Sequence, residues 1–232
     1  MICQLDDGTI VSSGNDFSIT IGDHTIKNAH EKFIPKVLTL PNNRIASCSY
    51  DDTIKIWKSD PPYSDTPIKV LTVSMPYSII YIKEKDILVS SGGKLTFWNM
   101  TTYQVINENN EVKSSNSCLS QIDKDRLLAG DFHEFWIVNI NKYEVEKHVY
   151  DSYFGKVTSA IKMRDNKTIF ITAISDWFIF YDLETKKYTL TRQVHVKNVI
   201  ALDGETFMTS SDNTNYDIPS SEFDTTVRIW KY

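Results

Sequence analysis

The sequence predicts an all-β fold, and three observations carry that expectation. Short segments that alternate apolar and polar residues recur along the chain, many end on an aromatic marker at intervals of about 40 residues, and Asp, Asn, Gly and Lys clusters separate them. The clearest segment is Ile54-Lys55-Ile56-Trp57-Lys58, and Leu95-Thr96-Phe97-Trp98-Asn99 repeats much of it 41 positions later. Phe135–Asn139, Phe178–Asp182 and Val227–Lys231 continue the series, and Ile19–Asp23 is a weaker first member. Taking Gly22, Trp57, Trp98, Val138, Tyr181 and Trp230 as equivalent gives steps of 35, 41, 40, 43 and 49 residues. The chain therefore reads as one repetitive domain over 1–232, with units at 1-23, 24-58, 59-99, 100-139, 140-182 and 183-232.

Each unit supplies further strands upstream of its marker. An inner strand is expected at Ile2–Leu5, Val37–Leu40, Ile79–Ile82, Cys118–Ile122, Val157–Met163 and Val199–Leu202. A middle strand rich in β-branched and other apolar residues follows at Thr9–Ser13, Arg44–Cys48, Ile87–Ser91, Arg126–Gly130, Thr168–Thr172 and Thr206–Ser210. Polar stretches after the first five markers provide an outer strand. The expected total is 23 strands, one short of six complete four-stranded units.

Composition limits the function classes. The chain has 232 residues, 41% of them hydrophobic and 24% charged, enough to bury a substantial core. Met1–Asp7 lacks a basic stretch followed by an apolar run, and no later segment offers the roughly 20 apolar residues of a membrane helix. The 30 acidic residues against 25 basic ones provide no cationic field for nucleic acid. Cys3, Cys48 and Cys118 are odd in number and widely spaced, which suits reduced thiols in the cytoplasm or nucleus. His24, His133 and His148 have no metal-ligand spacing, so neither a metal nor another cofactor is expected.

The stretch Ile45-Ala46-Ser47-Cys48-Ser49-Tyr50-Asp51-Asp52-Thr53-Ile54-Lys55-Ile56-Trp57 resembles a repeat of the WD40 family. Asp224-Thr225-Thr226-Val227-Arg228-Ile229-Trp230 is a second match, and the likeness extends over nearly the whole chain. The resemblance implies a WD40-like β-propeller of about six blades. The strand count implies either an imperfect seam or most of a seven-bladed body lacking its N-terminal portion. The resemblance also implies a buried polar network of His30, Ser47, Asp51 and Trp57, packing roles for Trp98 and Trp230, and a related set in which His195 joins Asp224 with Thr209 or Ser210. Without a Gly-x-Ser-x-Gly segment, a catalytic role for the His–Asp pair is the weaker reading. Ser91-Gly92-Gly93-Lys94 departs from the pattern by lacking the turn Asp, and Met75-Pro76-Tyr77 stands where a Gly-His pair is expected.

The family likeness implies a platform that recruits proteins or peptides without catalysis. Tyr50, just before Asp51, and Trp177, just after Asp176, are the leading contact residues. Tyr77 and Phe132 lie near turns or strand entrances, and Phe33 and Lys197 near inner-strand starts could share their face. The expanded connection 212–223 adds Tyr216, Ile218 and Phe223 as apolar anchors in a polar loop. The alternative is a small-molecule-binding or enzymatic protein using a central channel.

Overall fold

The computed structural model describes residues 1–113, 118–163, 165–174, 177–192, 198–201, 206–210 and 227–231; side chains at 174, 177 and from 191 onward lie outside that description. The architecture is all-β, and the strands follow the alternating segments closely. The first sheet contains β1 (Ile2–Gln4), β2 (Ile10–Ser13), β3 (Ile19–Ile21) and β4 (His24–Ile26). The second contains β5 (Lys36–Leu40), β6 (Arg44–Ser49), β7 (Thr53–Lys58) and β8 (Lys69–Thr72), and the third β9 (Ser78–Ile82), β10 (Ile87–Ser91), β11 (Leu95–Asn99) and β12 (Val105–Asn109). The fourth contains β13 (Cys118–Gln121), β14 (Arg126–Asp131), β15 (Glu134–Asn139) and β16 (Glu144–Tyr150). The fifth contains β17 (Lys156–Lys162), β18 (Thr168–Ile174), β19 (Trp177–Asp182) and β20 (Tyr188–Arg192). Strands β21 (Asn198–Ala201), β22 (Thr206–Ser210) and β23 (Val227–Lys231) form a three-stranded sheet. Strands consecutive in sequence are neighbours in every sheet, and all pairings are antiparallel.

The burial of β7 shows why these segments become strands. Ile54 and Ile56 are fully buried on one face, while Thr53 and Lys55 on the other are partly exposed, as a side-chain period of two requires, and only Trp57 at the end of that second face is buried as well. Each buried Ile contributes about 2 kcal/mol, so the aliphatic faces supply the main stabilisation and the polar groups fix local geometry.

The chain divides into two compact units, Met1–Asn116 and Ser117–Tyr232. In the first, Val11, Ile19, Ile21, Ile34, Ile45 and Trp57 form one apolar cluster, and Ile54, Ile56, Ile79, Leu88 and Trp98 belong to another. In the second, Phe135, Phe154, Val157, Ile169, Ile171 and Tyr181 share a cluster. Gly130 on β14 permits this packing: a Cβ there would lie 2.4 Å from Val157 Cγ1 on β17.

These sheets correct the expectation of a closed ring. Every ladder among the described residues joins strands of the same sheet, and the sheets are separate, not closed or curled into a propeller. The WD40-like β-propeller, whether six-bladed with a seam or part of a seven-bladed body, is therefore replaced by an all-β architecture with, among the described residues, five four-stranded sheets and one three-stranded sheet. The physical reason is that an alternating repeat encodes hairpins, which are local, whereas ring closure depends on contacts between sheets distant in sequence.

Candidate functional site

The second sheet brings His30, Ser47, Asp51 and Trp57 together. His30 Nδ1 lies 2.8 Å from Asp51 Oδ2, and His30 Nε2 lies 2.7 Å from Ser47 Oγ. Trp57 Nε1 donates to Ser47 Oγ at 2.8 Å. Since the aspartate can only accept, Nδ1 carries the imidazole proton and Nε2 accepts the serine hydroxyl proton. Asp51 also accepts the Glu31 amide at 3.1 Å, the Thr53 amide at 3.1 Å and the Thr53 hydroxyl at 2.6 Å.

Burial determines how this set behaves. The His30 and Asp51 side chains are 0% and 4% exposed, and Ser47 is fully buried. Burial lowers the His30 pKa despite the opposing pull of Asp51. The Asp51 pKa is lowered as well: burial is the largest influence and acts to raise it, but hydrogen bonds from Thr53, Glu31 and His30 prevail. The arrangement has the Ser-His-Asp order of a hydrolase triad, but Trp57 already occupies Ser47 Oγ, and a fully buried serine presents no nucleophile to a substrate. Its effect is to fasten the chain before β5 to the β6–β7 hairpin. Ser49 Oγ donates to Lys32 O at 3.1 Å and Lys55 Nζ to Ala29 O at 2.8 Å.

That fastening positions an aromatic row. Tyr50 N donates to Phe33 O at 3.1 Å, and the two rings meet edge to face with centroids 5.3 Å apart. Tyr50 continues onto Tyr77 at 4.9 Å, again edge to face. Tyr77 is set by its own amide, which donates to Ser91 O at 3.0 Å. The preceding chain is tied back by Met75 N, which donates to Asp52 Oδ1 at 2.7 Å. All three rings are partly exposed, and burial beside Tyr77 and Cys48 raises the Tyr50 phenol pKa. Phe33, Tyr50 and Tyr77 thus form one continuous aromatic surface on the first unit.

Phe132 lies on the second unit, 50% exposed, with Lys156 Nζ 5.8 Å from its ring centroid. Trp98 on β11 donates from Nε1 to Ser90 Oγ at 3.0 Å. Trp177 and Trp230 lie on β19 and β23 with side chains outside the description. Lys197, Tyr216, Ile218, Phe223, His195 and Asp224 lie outside the described residues, as does the 212–222 insertion.

The sequence reading passed over Tyr150 and Tyr153, each 64% exposed. The signal for Tyr150 is the alternation of β16, which buries Val149 while exposing Glu146, His148 and Tyr150. A cleft of about 380 Å³ at the opposite ends of β5 and β6 is lined by residues including Asp6, Asp7, Asn42, Asp60 and Lys83. Backbone and side-chain hydrogen bonds from Thr9 lower the Asp7 pKa, so its carboxyl is a poor proton donor near neutrality. Among the described residues no group of three or more His, Cys, Asp or Glu side chains converges as a metal site, and no helix is long and apolar enough to cross a membrane. No protein-family model matches the sequence, and no curated protein matches it.

Proposed function

We propose that this protein is a noncatalytic interaction module that recruits a protein or peptide through Phe33, Tyr50 and Tyr77. The supporting observation is the continuous, partly exposed row of three rings, with Tyr50 and Tyr77 next to strand ends and Phe33 held to Tyr50 by a backbone bond. Aromatic side chains give large contact area at low entropic cost, and a fixed backbone reduces the ordering penalty on binding. The inaccessibility of Ser47 supports a noncatalytic role. Three widely spaced thiols, with Cys48 buried and its pKa raised by burial to about 12, support residence in the cytoplasm or nucleus. Affinity capture with the full chain, followed by binding measurements on the captured partner, tests the assignment. Tyr50→Ala and Tyr77→Ala should each weaken binding about tenfold without altering the thermal transition; full binding by both variants defeats this placement of the interface.

A further inference from the structure

Several strand ends of the first unit meet at the cleft of about 380 Å³. Its walls come from the β1–β2 turn, the β5–β6 turn and the residues at the ends of β7 and β9. Backbone bonds fix these walls: Gly8 N donates to Leu5 O at 3.0 Å, closing the first turn, and Ser59 N donates to Asn43 O at 2.8 Å, tying the end of β7 to the second. The volume falls among those of small-ligand sites, about 300–1,000 Å³.

The lining holds polar groups that the fold does not use. Ser59 is 5% exposed and lines the cleft, and its hydroxyl has no hydrogen-bond partner among the described residues. A hydroxyl so buried is costly to leave unsatisfied, and the cleft is the space from which a partner can come. Of the charged side chains on the walls, Asp6, Asp7 and Asp60 are acidic and Lys83 is basic, three negative charges against one positive. Asp6 and Lys83 have no ion pair among the described residues, and Asp60 has a long contact with Lys58, at 3.8 Å. Asp7 accepts the Thr9 amide at 2.8 Å. Arg44 does not line this cleft and donates to Pro41 O at 2.9 Å and to the Tyr103 hydroxyl at 2.7 Å. Among the described residues no three acids converge closely enough to hold a metal ion, so the negative charge is spread over the walls. Leu5, Leu40, Pro41 and Tyr81 supply apolar surface beside it.

We propose that this cleft binds a linear aliphatic amine of the polyamine class. Separated ammonium groups match carboxylates that are spread and not convergent, the methylenes lie on the apolar wall, and an ammonium N–H donates to Ser59 Oγ. A compact metal ion lacks that reach, and a neutral ligand leaves the carboxylates uncompensated. The site shares no residue with the aromatic row, so its test is independent of the interaction reading.

Isothermal titration calorimetry of the full chain with spermidine tests the proposal. One-site binding is expected, with none for triethylene glycol, a neutral chain of similar length, and the affinity should fall as salt rises from about 50 to about 500 mM. Asp6→Asn and Asp60→Asn should each weaken binding about tenfold and Ser59→Ala about threefold, whereas Lys83→Gln should strengthen it about threefold. Unchanged thermal transitions verify that these variants fold. Ser59→Ala removes a hydroxyl that bonds to nothing else described in the protein, so it probes the contact apart from the fold. Glu144→Gln, on β16 of the second unit, should leave binding unchanged. No binding at about 5 mM spermidine, or binding indifferent to the cleft substitutions, overturns the proposal. So does an equal loss in Glu144→Gln, which marks attraction to the acidic chain as a whole, or displacement of spermidine by equimolar calcium, which marks a metal site.

Discussion

The second and third sheets resolve the same problem in different ways. Each has a tryptophan on its third strand donating to a serine on its second, Trp57 to Ser47 and Trp98 to Ser90. In the second sheet a histidine and an aspartate extend that bond into a network that secures the hairpin and the chain leading into β5. The third sheet has Gly92 and Gly93 at the corresponding turn. A Cβ on Gly92 would lie 2.2 Å from Ser74 O and 2.6 Å from Met75 O, so the hairpin and the chain before β9 are held by direct backbone approach. One junction depends on polar groups being satisfied, the other on a side chain being absent. Both determine the aromatic row, because Tyr50 borders the first turn and Tyr77 follows the segment packed on the second.

Breaking the polar solution should have the largest effect. Asp51→Ala leaves His30, the Glu31 amide and the Thr53 hydroxyl without their acceptor, and a loss of about 3 kcal/mol is expected in urea unfolding. A loss below about 0.5 kcal/mol would show that the network is ornamental. Gly92→Ala tests the backbone solution, with a loss of about 2 kcal/mol as the carbonyls of Ser74 and Met75 are forced aside. That variant should also weaken binding at Tyr77, and normal stability would mean that the junction yields easily. The smallest effect expected is the pH dependence contributed by His30. Its folded pKa lies below the ordinary value of 6.5, so the unfolded chain takes up the proton first as pH falls. Stability from His30 is complete above pH 6.5 and is lost downward from there, whereas that from Asp51 is lost only on further acidification below its ordinary 3.8. His30→Gln should flatten the melting temperature between about pH 6.5 and about pH 5; a slope equal to that of the unaltered protein would refute a buried neutral imidazole.

Much of the local structure is legible in the sequence. The period-two alternation places β6 and β7, and the interval between Ser47 and Trp57 brings their side chains within hydrogen-bond reach across that strand pair. The Phe33–Tyr50–Tyr77 row is less legible, because its members come from three separate segments, Phe33 tied to Tyr50 by a backbone bond and Tyr77 reaching Tyr50 by ring contact. Ring closure is not legible for the same reason that the strands are: a hairpin repeat reports pairing between sequence neighbours and says nothing of contacts between distant sheets. Tyr153 has no periodic signal, because its exposure follows from the burial of the next residue, Phe154, a tertiary fact.

The hydrogen bonds around Ser47 run in one direction, from the Trp57 indole through the hydroxyl and imidazole to the Asp51 carboxylate. In terms of substitution, the four positions behave as one inherited word whose letters have meaning only together. Replacing His30 leaves the aspartate without its partner, and replacing Ser47 strands the indole on one side and the imidazole on the other. Stepwise change must then pass through a less stable protein unless several positions alter together. The third sheet shows what a shorter word looks like: Ser90 and Trp98 remain paired, and a glycine at the turn replaces the missing acid.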